Sequence, residues 1–343
     1  MKFGLDIANF DYDLPKELIA QEPLEERDQS RLLVVSRENG DLKHDRFFNL
    51  PAYLRSGDTL IFNNTKVIPA RLIGRRTDTG GKVEVLLLTR VEDGCWEVLV
   101  KPGRRAPQGV SLQFGSNLEG RIVERTEYGG RIMQFLCNGE FEEALAQVGE
   151  VPLPPYIKKQ LDQRERYQTV YACQEGSVAA PTAGLHFTPA LIEKIKEKGV
   201  ATGFVTLHVG IGTFRPVTES DITRHRMHRE FFVLPPETAA LLNRTRAQGG
   251  RIVAVGTTTV RTLETVADAG PIRPQSGWTE IFIFPGHRFK LVDALVTNFH
   301  LPRSTLLMLV SAFAGRELIL KAYREAVLER YRFFSFGDAM LIV

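Results

Sequence analysis

The chain has 343 residues, 43% of them hydrophobic and 25% charged, with a formal net charge of +3. That length supports one large or two ordinary domains with a full core, and the balance is that of a soluble globular protein, with too little net charge to announce nucleic acid by itself. Cys95, Cys137 and Cys173 are far apart and form no Cys-x-x-Cys, which leaves a disulfide framework, a thiolate-held zinc and an iron–sulfur site without support.

The N-terminus carries Asp6, Asp11 and Asp13 and lacks a basic-then-apolar signal pattern. The longest apolar helix candidate, Leu306 to Ala314, is far too short to cross a bilayer. The expectation is a cytoplasmic protein with no membrane association. From Val83 to about Leu136 the pattern is β. Val83–Leu88 and Trp96–Val100 flank the turn Glu92-Asp-Gly94, and Arg121–Glu124 and Arg131–Phe135 flank Tyr128-Gly-Gly130. Short strands with frequent turns predict a small barrel. It reads as an insertion, because α/β patterning resumes after it.

Thr188 before Pro189 is an N-cap followed by proline at the first helical position. Leu191, Ile192 and Ile195 recur at helical spacing, Gly199 stops the helix, and Val200 to Val209 is a strand. The unit repeats with a helix over Pro236–Gln248, a buried strand over Arg251–Val255, and a helix from Gly256-Thr-Thr-Thr259 to Ala269. Ser304–Ala314 and Glu317–Tyr331 are two further helices, and Phe333–Val343 is expected to finish as a strand containing a turn-like Gly337-Asp338. The fold class is therefore α/β: a large mixed α/β domain with a mostly parallel sheet, residues 1–70 and 151–343, interrupted by a small β-barrel domain, residues 71–150.

Three segments place a His beside hydroxyls at the end of an apolar run. They are Val178-Ala-Ala-Pro-Thr-Ala-Gly-Leu-His-Phe-Thr188, Val205-Thr-Leu-His-Val-Gly-Ile-Gly-Thr-Phe214 and Thr297-Asn-Phe-His-Leu-Pro-Arg-Ser-Thr305. Small residues such as Gly184 let backbone amides approach a ligand, and His186, His208 and His300 stand at strand-to-loop junctions, so the three read as parts of one site. Val255-Gly-Thr-Thr-Thr-Val-Arg261 opens a helix N-terminus that would seat a carboxylate or phosphate. No P-loop occurs, and Gly210-Ile-Gly212 is too short for a dinucleotide fingerprint. His225-Arg-Met-His228 with Glu230 lacks the zincin arrangement, so no metal is expected. Basic residues cluster at Arg71, Arg75 and Arg76, at Lys101, Arg104 and Arg105, and at Lys158, Lys159, Arg164 and Arg166; such clusters suit an acidic polymer.

The three His segments, with Asp58-Thr-Leu-Ile-Phe-Asn-Asn-Thr-Lys-Val-Ile-Pro-Ala-Arg71, Val255–Glu264, Thr297–Val310 and Tyr331-Arg-Phe-Phe-Ser-Phe-Gly-Asp-Ala-Met340, resemble the S-adenosylmethionine:tRNA ribosyltransferase-isomerases of queuosine biosynthesis. The resemblance runs from about Tyr12 to Ile342. One departure is His287, where the family pattern leads us to expect an aromatic such as Tyr.

The resemblance implies a transferase that uses S-adenosylmethionine as a consumed ribosyl donor, with no separate cofactor. The acceptor is 7-aminomethyl-7-deazaguanine at the wobble position of a tRNA, and the products are epoxyqueuosine in tRNA, adenine and methionine. The sulfonium acidifies the ribose 5′ protons, so the site needs a base, an acid for departing adenine, and a water-poor pocket. On that reaction His186, His208 and His300 are expected around ribose and adenine, one of them as the base. Thr206, Thr213, Asn298 and Thr305 would hold ribose hydroxyls or the modified base, with Thr182, Gly184, Gly210 and Gly212 also lining the site. Thr257, Thr258 and Thr259 would seat the methionine carboxylate with Arg261 nearby, and Glu230 and Asp338 would face the amine or the sulfonium. Arg75, Arg76, Lys101, Arg104, Arg105, Lys158 and Lys159 are the expected tRNA contacts, with Phe214 or Tyr156 stacking on a base. The expected assembly is a monomer. The competing readings are a non-catalytic tRNA-binding module, which would leave the His/Thr junctions without purpose, and a metal-dependent hydrolase on the same scaffold.

Overall fold

The computed structural model describes residues 5–126, 129–159, 163–210, 219–267 and 271–343. Two compact units emerge: residues 1–65, 155–174 and 180–343 form one, and residues 66–154 with 175–179 the other.

The first unit is built on a nine-stranded sheet. From edge to edge it runs Gln275–Thr279, Glu230–Leu234, Ala201–Leu207, Thr59–Asn63, Ile252–Val255, Ala294–Asn298, Ala339–Ile342, Arg31–Val35 and Leu42–Arg46. The four adjacent strands from Ala201–Leu207 to Ala294–Asn298 are mutually parallel. Ala339–Ile342 is antiparallel to Ala294–Asn298 but parallel to Arg31–Val35, and the strands at both edges are antiparallel. The parallel block is covered on both faces, which is why Ile252-Val-Ala-Val255 is apolar and buried throughout rather than alternating.

Local chemistry sets the helices. Thr188 Oγ1 accepts the Leu191 N–H at 3.1 Å and caps the Pro189–Glu197 helix, and Ser304 does the same for Leu307 at the start of Thr305–Ala314. The core beneath the Pro189–Glu197 helix is aromatic. Phe62 is fully buried among Phe187, Phe204 and Tyr171, with ring centroids 4.8–5.8 Å apart, a burial that contributes about 1.5–3 kcal/mol for Phe62 alone. At the opposite, N-terminal end of the block, buried Asp58 takes Arg251 Nη2 at 2.6 Å and so ties two neighbouring strands together.

The C-terminal strand is shorter than the apolar run predicts. Ala339–Ile342 pair in the sheet, while Phe333 makes an isolated parallel bridge to Ile19 and Phe334, with φ 73°, begins the loop between them. Asp338 fixes this loop by accepting the backbone N–H groups of Arg31 at 2.8 Å and Arg332 at 2.7 Å.

The second unit contains a closed six-stranded antiparallel barrel. Its order is Arg71–Arg76, Lys82–Glu92, Cys95–Lys101, Arg131–Cys137, Leu118–Arg125 and Ser111–Phe114, and the last strand returns to the first through Arg75–Gln113 and Arg76–Leu112. Val83, Val85 and Leu87 point inward while their neighbours are partly exposed, the period of two expected of a strand with one buried face. Among the described residues no helix is long and apolar enough to cross a membrane.

Candidate active site

The carboxyl ends of three of the four parallel strands meet at a cavity of about 290 Å³, lined by Val209, Gly256 to Thr258, Thr297 to Pro302, Ala180 to Ala183, and Tyr156, Phe334 and Ser335. This is where open parallel sheets place their ligands. Gly256, with φ 88°, makes the abrupt turn from strand to helix that an L side chain resists. The helix that follows begins at Thr257, and its first closing amide is Val260 N–H onto Gly256 O, so the amides of residues 257–259 lack partners within the helix. Ser304 and Leu306 bring the start of a second helix to the same cavity. Two helix N-termini give it a positive bias suited to a carboxylate or another anion.

Asn298 is the best-determined polar group in the wall. Its Nδ2 donates to Phe334 O at 3.0 Å and to His186 Nε2 at 3.1 Å, and its Oδ1 accepts from Thr182 Oγ1 at 3.4 Å. These partners assign the amide orientation and leave Oδ1 a second lone pair for a ligand donor. His186 is thereby also assigned: Nε2 accepts from Asn298, so Nδ1–H donates to Ser30 Oγ at 2.7 Å. Its ring stacks on Phe47 at 4.9 Å. Burial, followed by the charges of Arg332 and Arg27, pushes its pKa down to about 3. His186 stands one layer behind the cavity wall with both nitrogens engaged, and its geometry serves to orient Asn298.

His300 lies in the wall itself. Its backbone is pinned at both ends, the N–H donating to Tyr323 Oη at 2.9 Å and the carbonyl accepting from Tyr12 Oη at 2.5 Å. Thr297 Oγ1 sits 2.9 Å from His300 Nε2 and 3.4 Å from Asn298 O; when its hydroxyl hydrogen goes to that carbonyl, the ring proton is on Nε2. Among the described residues Nδ1 has no hydrogen-bond partner. Burial pushes the His300 pKa down to about 3, so at neutral pH the ring is uncharged.

The other expected residues spread around this centre. Thr257 and Thr258 line the cavity, and Thr258 Oγ1 also accepts from Asn63 Nδ2 at 3.2 Å. His208 follows the strand that leads to Val209; its Nδ1 lies 2.8 Å from Thr65 Oγ1, burial lowers its pKa, and it is not in the cavity wall. Thr206 Oγ1 donates to Asn64 Oδ1 at 2.7 Å, inside the sheet. Thr305 is buried behind Ser304. Gly184 is required by packing, since a Cβ there would lie 2.0 Å from Tyr171 Oη. Glu230 and Arg261 form a buried ion pair, and Glu230 Oε1 accepts the Gly210 N–H at 3.0 Å, so the pair fixes the strand exit. Asp338 is committed to the backbone of its own loop, where burial raises its pKa. Gly212, Thr213 and Phe214 lie outside the described residues.

Tyr156 lines the cavity with Oη 2.6 Å from Ser335 Oγ and its ring against Phe334. His287 Nε2 is 3.3 Å from Glu264, whose carboxylate is buried and also accepts the amides of Lys290, Leu291 and Val292. Among the described residues no group of three or more His, Cys, Asp or Glu could hold a metal ion. On the barrel, Arg75, Lys101, Arg104 and Arg105 are exposed, whereas Arg76 is held by Asp78 at 2.5 Å. Lys158 is exposed and Lys159 pairs with Glu22.

The site residues that sequence reasoning passed over are Asn63, Tyr12, Tyr323, Phe334 and Ser335. Asn63 had a local signal, because two adjacent asparagines ending the apolar run Leu60-Ile-Phe62 leave polar groups at a buried strand end. Asn63 Oδ1 accepts the amides of Thr65 and Leu207 and so joins two strands there. Tyr12 and Tyr323 reach His300 from far along the chain and had none.

Comparison with known proteins agrees over the whole length. Residues 7–342 match the family model described as queuosine biosynthesis protein. A protein of Symbiobacterium thermophilum named S-adenosylmethionine:tRNA ribosyltransferase-isomerase is 61% identical over 339 residues, 98% of this chain and 99% of the relative. One of the same name from Thermoanaerobacter sp. is 60% identical over 338 residues, again 98% and 99% of the two chains. The crystal structure of an S-adenosylmethionine tRNA ribosyltransferase from Thermotoga maritima is 46% identical and covers 98% of this chain and 100% of its own, with a TM-score of 0.58. A family match of that extent, on a chain whose parallel strands end in a His- and Thr-lined cavity, means that this protein belongs to the queuosine biosynthesis protein family.

Proposed function

We infer that the chain is an S-adenosylmethionine:tRNA ribosyltransferase-isomerase, a transferase of the cytoplasm acting as a monomer. It moves and isomerises the ribosyl group of S-adenosylmethionine onto 7-aminomethyl-7-deazaguanine at the tRNA wobble position, releasing adenine and methionine. The observation that carries this is identity of 56–61% over nearly the entire chain with relatives bearing that name. A non-catalytic tRNA-binding module would have no need of a cavity walled by an uncharged His300 and an oriented Asn298.

S-adenosylmethionine enters as a substrate and is used up, and no further cofactor is invoked. The cavity of about 290 Å³ is near the lower end of the range for small-molecule sites, roughly 300–1,000 Å³. His300 Nδ1 is our proton acceptor for the acidified ribose 5′ position, since it is the ring nitrogen in the wall that no described residue occupies. Burial makes it a weak base, which suffices only because the sulfonium acidifies the proton it takes. Asn298 Oδ1 and Thr182 would hold a ribose hydroxyl or an edge of the modified base, with His186 fixing the amide. The helix start at Thr257 and Thr258 would seat the methionine carboxylate. Glu230 and Arg261 act as positioning residues for the Gly210 exit.

The test is adenine release from S-adenosylmethionine with and without tRNA carrying 7-aminomethyl-7-deazaguanine. Release that depends on the modified tRNA, with ribose-derived mass on the RNA, is expected; S-adenosylhomocysteine in place of adenine would overturn the reading. His300→Gln should lower adenine release by about 10²–10⁴-fold while RNA binding persists. If His208→Gln abolishes release and His300→Gln does not, His208 is the base instead.

A further inference from the structure

Three arginines from separate segments gather at the Glu22–Glu25 loop and the residues just after it. Arg332 donates through Nη2 to Glu22 O, Arg166 to Glu25 O at 2.8 Å and to Leu24 O, and Arg27 to Leu185 O and Glu165 O, both at 3.2 Å. Every one of these acceptors is a neutral carbonyl. Among the described residues none of the three guanidiniums makes an ion pair with a carboxylate. Asp338 has an oxygen on each of two backbone amides, Glu22 is paired with Lys159, and Glu165 acts on Arg27 through charge without a carboxylate hydrogen bond to it.

Two donors are left over. Arg166 Nε and Arg332 Nη1 are buried without any hydrogen-bond partner, a deficit that native structures rarely leave uncompensated. Arg27 and Arg166 border a small depression of about 20 Å³ together with Ser30, His186, Ser335 and Gly337. That is room for a single oxygen. Arg332 does not border the depression; its charge, with that of Arg27, acts on the His186 ring that does.

The depression adjoins the active-site cavity. Ser335 lines both, and His186 borders the depression while its Nε2 holds Asn298 in the cavity wall. An anionic oxygen seated among the arginines would therefore belong to a molecule whose other part occupies the cavity. A phosphodiester has this form: one non-bridging oxygen can enter a narrow site while the rest of the group stays in solvent, and guanidinium forks match it well.

We propose that Arg27 and Arg166, backed by Arg332, form a phosphodiester site that grips the RNA backbone beside the nucleotide whose base enters the adjoining cavity. The site rests on the reading of the protein as an enzyme acting on tRNA. It differs in kind from solvated lysines on the surface, because the side chains are half-buried and held by backbone carbonyls before RNA arrives, with two of their donors already desolvated.

The experiment is steady-state kinetics on the full-length enzyme with each substrate varied in turn, for wild type, Arg166→Lys and Arg332→Gln. Circular-dichroism melts establish that the variants are folded. The expected result is a rise in KM for the modified tRNA stem-loop of about ten- to a hundredfold, the loss of one charged hydrogen bond, with KM for S-adenosylmethionine unmoved. A stem-loop with a neutral methylphosphonate in place of the flanking phosphodiester should bind wild type more weakly by a similar factor and the variants no more weakly than they bind unmodified backbone. A rise confined to KM for S-adenosylmethionine would assign the arginines to its carboxylate and overturn the proposal. Variant and methylphosphonate losses that simply multiply would also overturn it, leaving the arginines as braces for the Glu22–Glu25 loop. Wild-type enzyme that releases adenine without regard to tRNA would instead defeat the functional reading, a separate outcome.

Discussion

Acidification should destabilise this protein through its buried histidines. His186 and His300 have pKa values pushed from 6.5 to about 3 by burial. Between those values the unfolded chain binds protons that the folded chain refuses, so stability is fully present above about pH 6.5 and is lost as the pH falls toward 3. At pH 5 each ring removes about 2 kcal/mol, the free energy of roughly one and a half pKa units. Together they remove about 4 kcal/mol from a total that is typically 5–15 kcal/mol. The assay is the urea midpoint followed by circular dichroism between pH 7 and 5 for wild type and His186→Gln. The variant starts less stable, because the amide cannot fully replace the bonds to Ser30 and Asn298, but its midpoint should fall less steeply with pH, by about one linked proton. His208, whose pKa burial also lowers, contributes in the same direction in both proteins and cancels in the comparison. Parallel pH profiles for wild type and variant would refute the argument that His186 is held neutral, and His300→Gln supplies the same comparison independently.

Three further outcomes are expected. Gly184→Ala should cost about 1–3 kcal/mol by overpacking, since its Cβ would lie 2.0 Å from Tyr171 Oη; Tyr171→Phe in the same chain should recover part of that, and thermal denaturation would detect it. Breaking the Glu230–Arg261 pair with Glu230→Gln should cost about 3–5 kcal/mol by leaving a buried charge unmatched, and Glu230→Gln with Arg261→Met should cost less than the two single changes summed, as a double-mutant cycle would read. Affinity for a tRNA stem-loop should fall linearly on a log–log plot against salt, by roughly 0.7 per phosphate contact on single-stranded RNA. An affinity indifferent to salt in fluorescence anisotropy would argue against backbone contacts altogether.

Much of this protein follows from local chemistry that a linear reading captures. The Thr188–Pro189 cap, the Gly199 stop, the continuous apolar run Ile252–Val255 and the turn glycines of the barrel each depend on neighbours in sequence, and each forms where the residues dictate. The three His/Thr junctions were visible for the same reason, since strand ends are marked by the loss of apolar pattern. What no local rule could decide is which junction residue faces the cavity. His186, His208 and His300 have similar flanks, yet only His300 lies in the wall, because the turn after Asn298 is held from behind by Tyr12 and Tyr323, while His186 is drawn under the wall between Ser30 and Asn298. Phe333–Asp338 reads as strand by its apolar content and becomes a cavity-lining loop because Asp338 binds the backbone of Arg31, far away in sequence. The arginine cluster is likewise dispersed over Arg27, Arg166 and Arg332 and exists only once the chain is folded. Sequence determines the elements and the chemical repertoire through short-range caps and periodicities; long-range hydrogen bonds between segments then select which nitrogen, and which charge, is presented to a substrate.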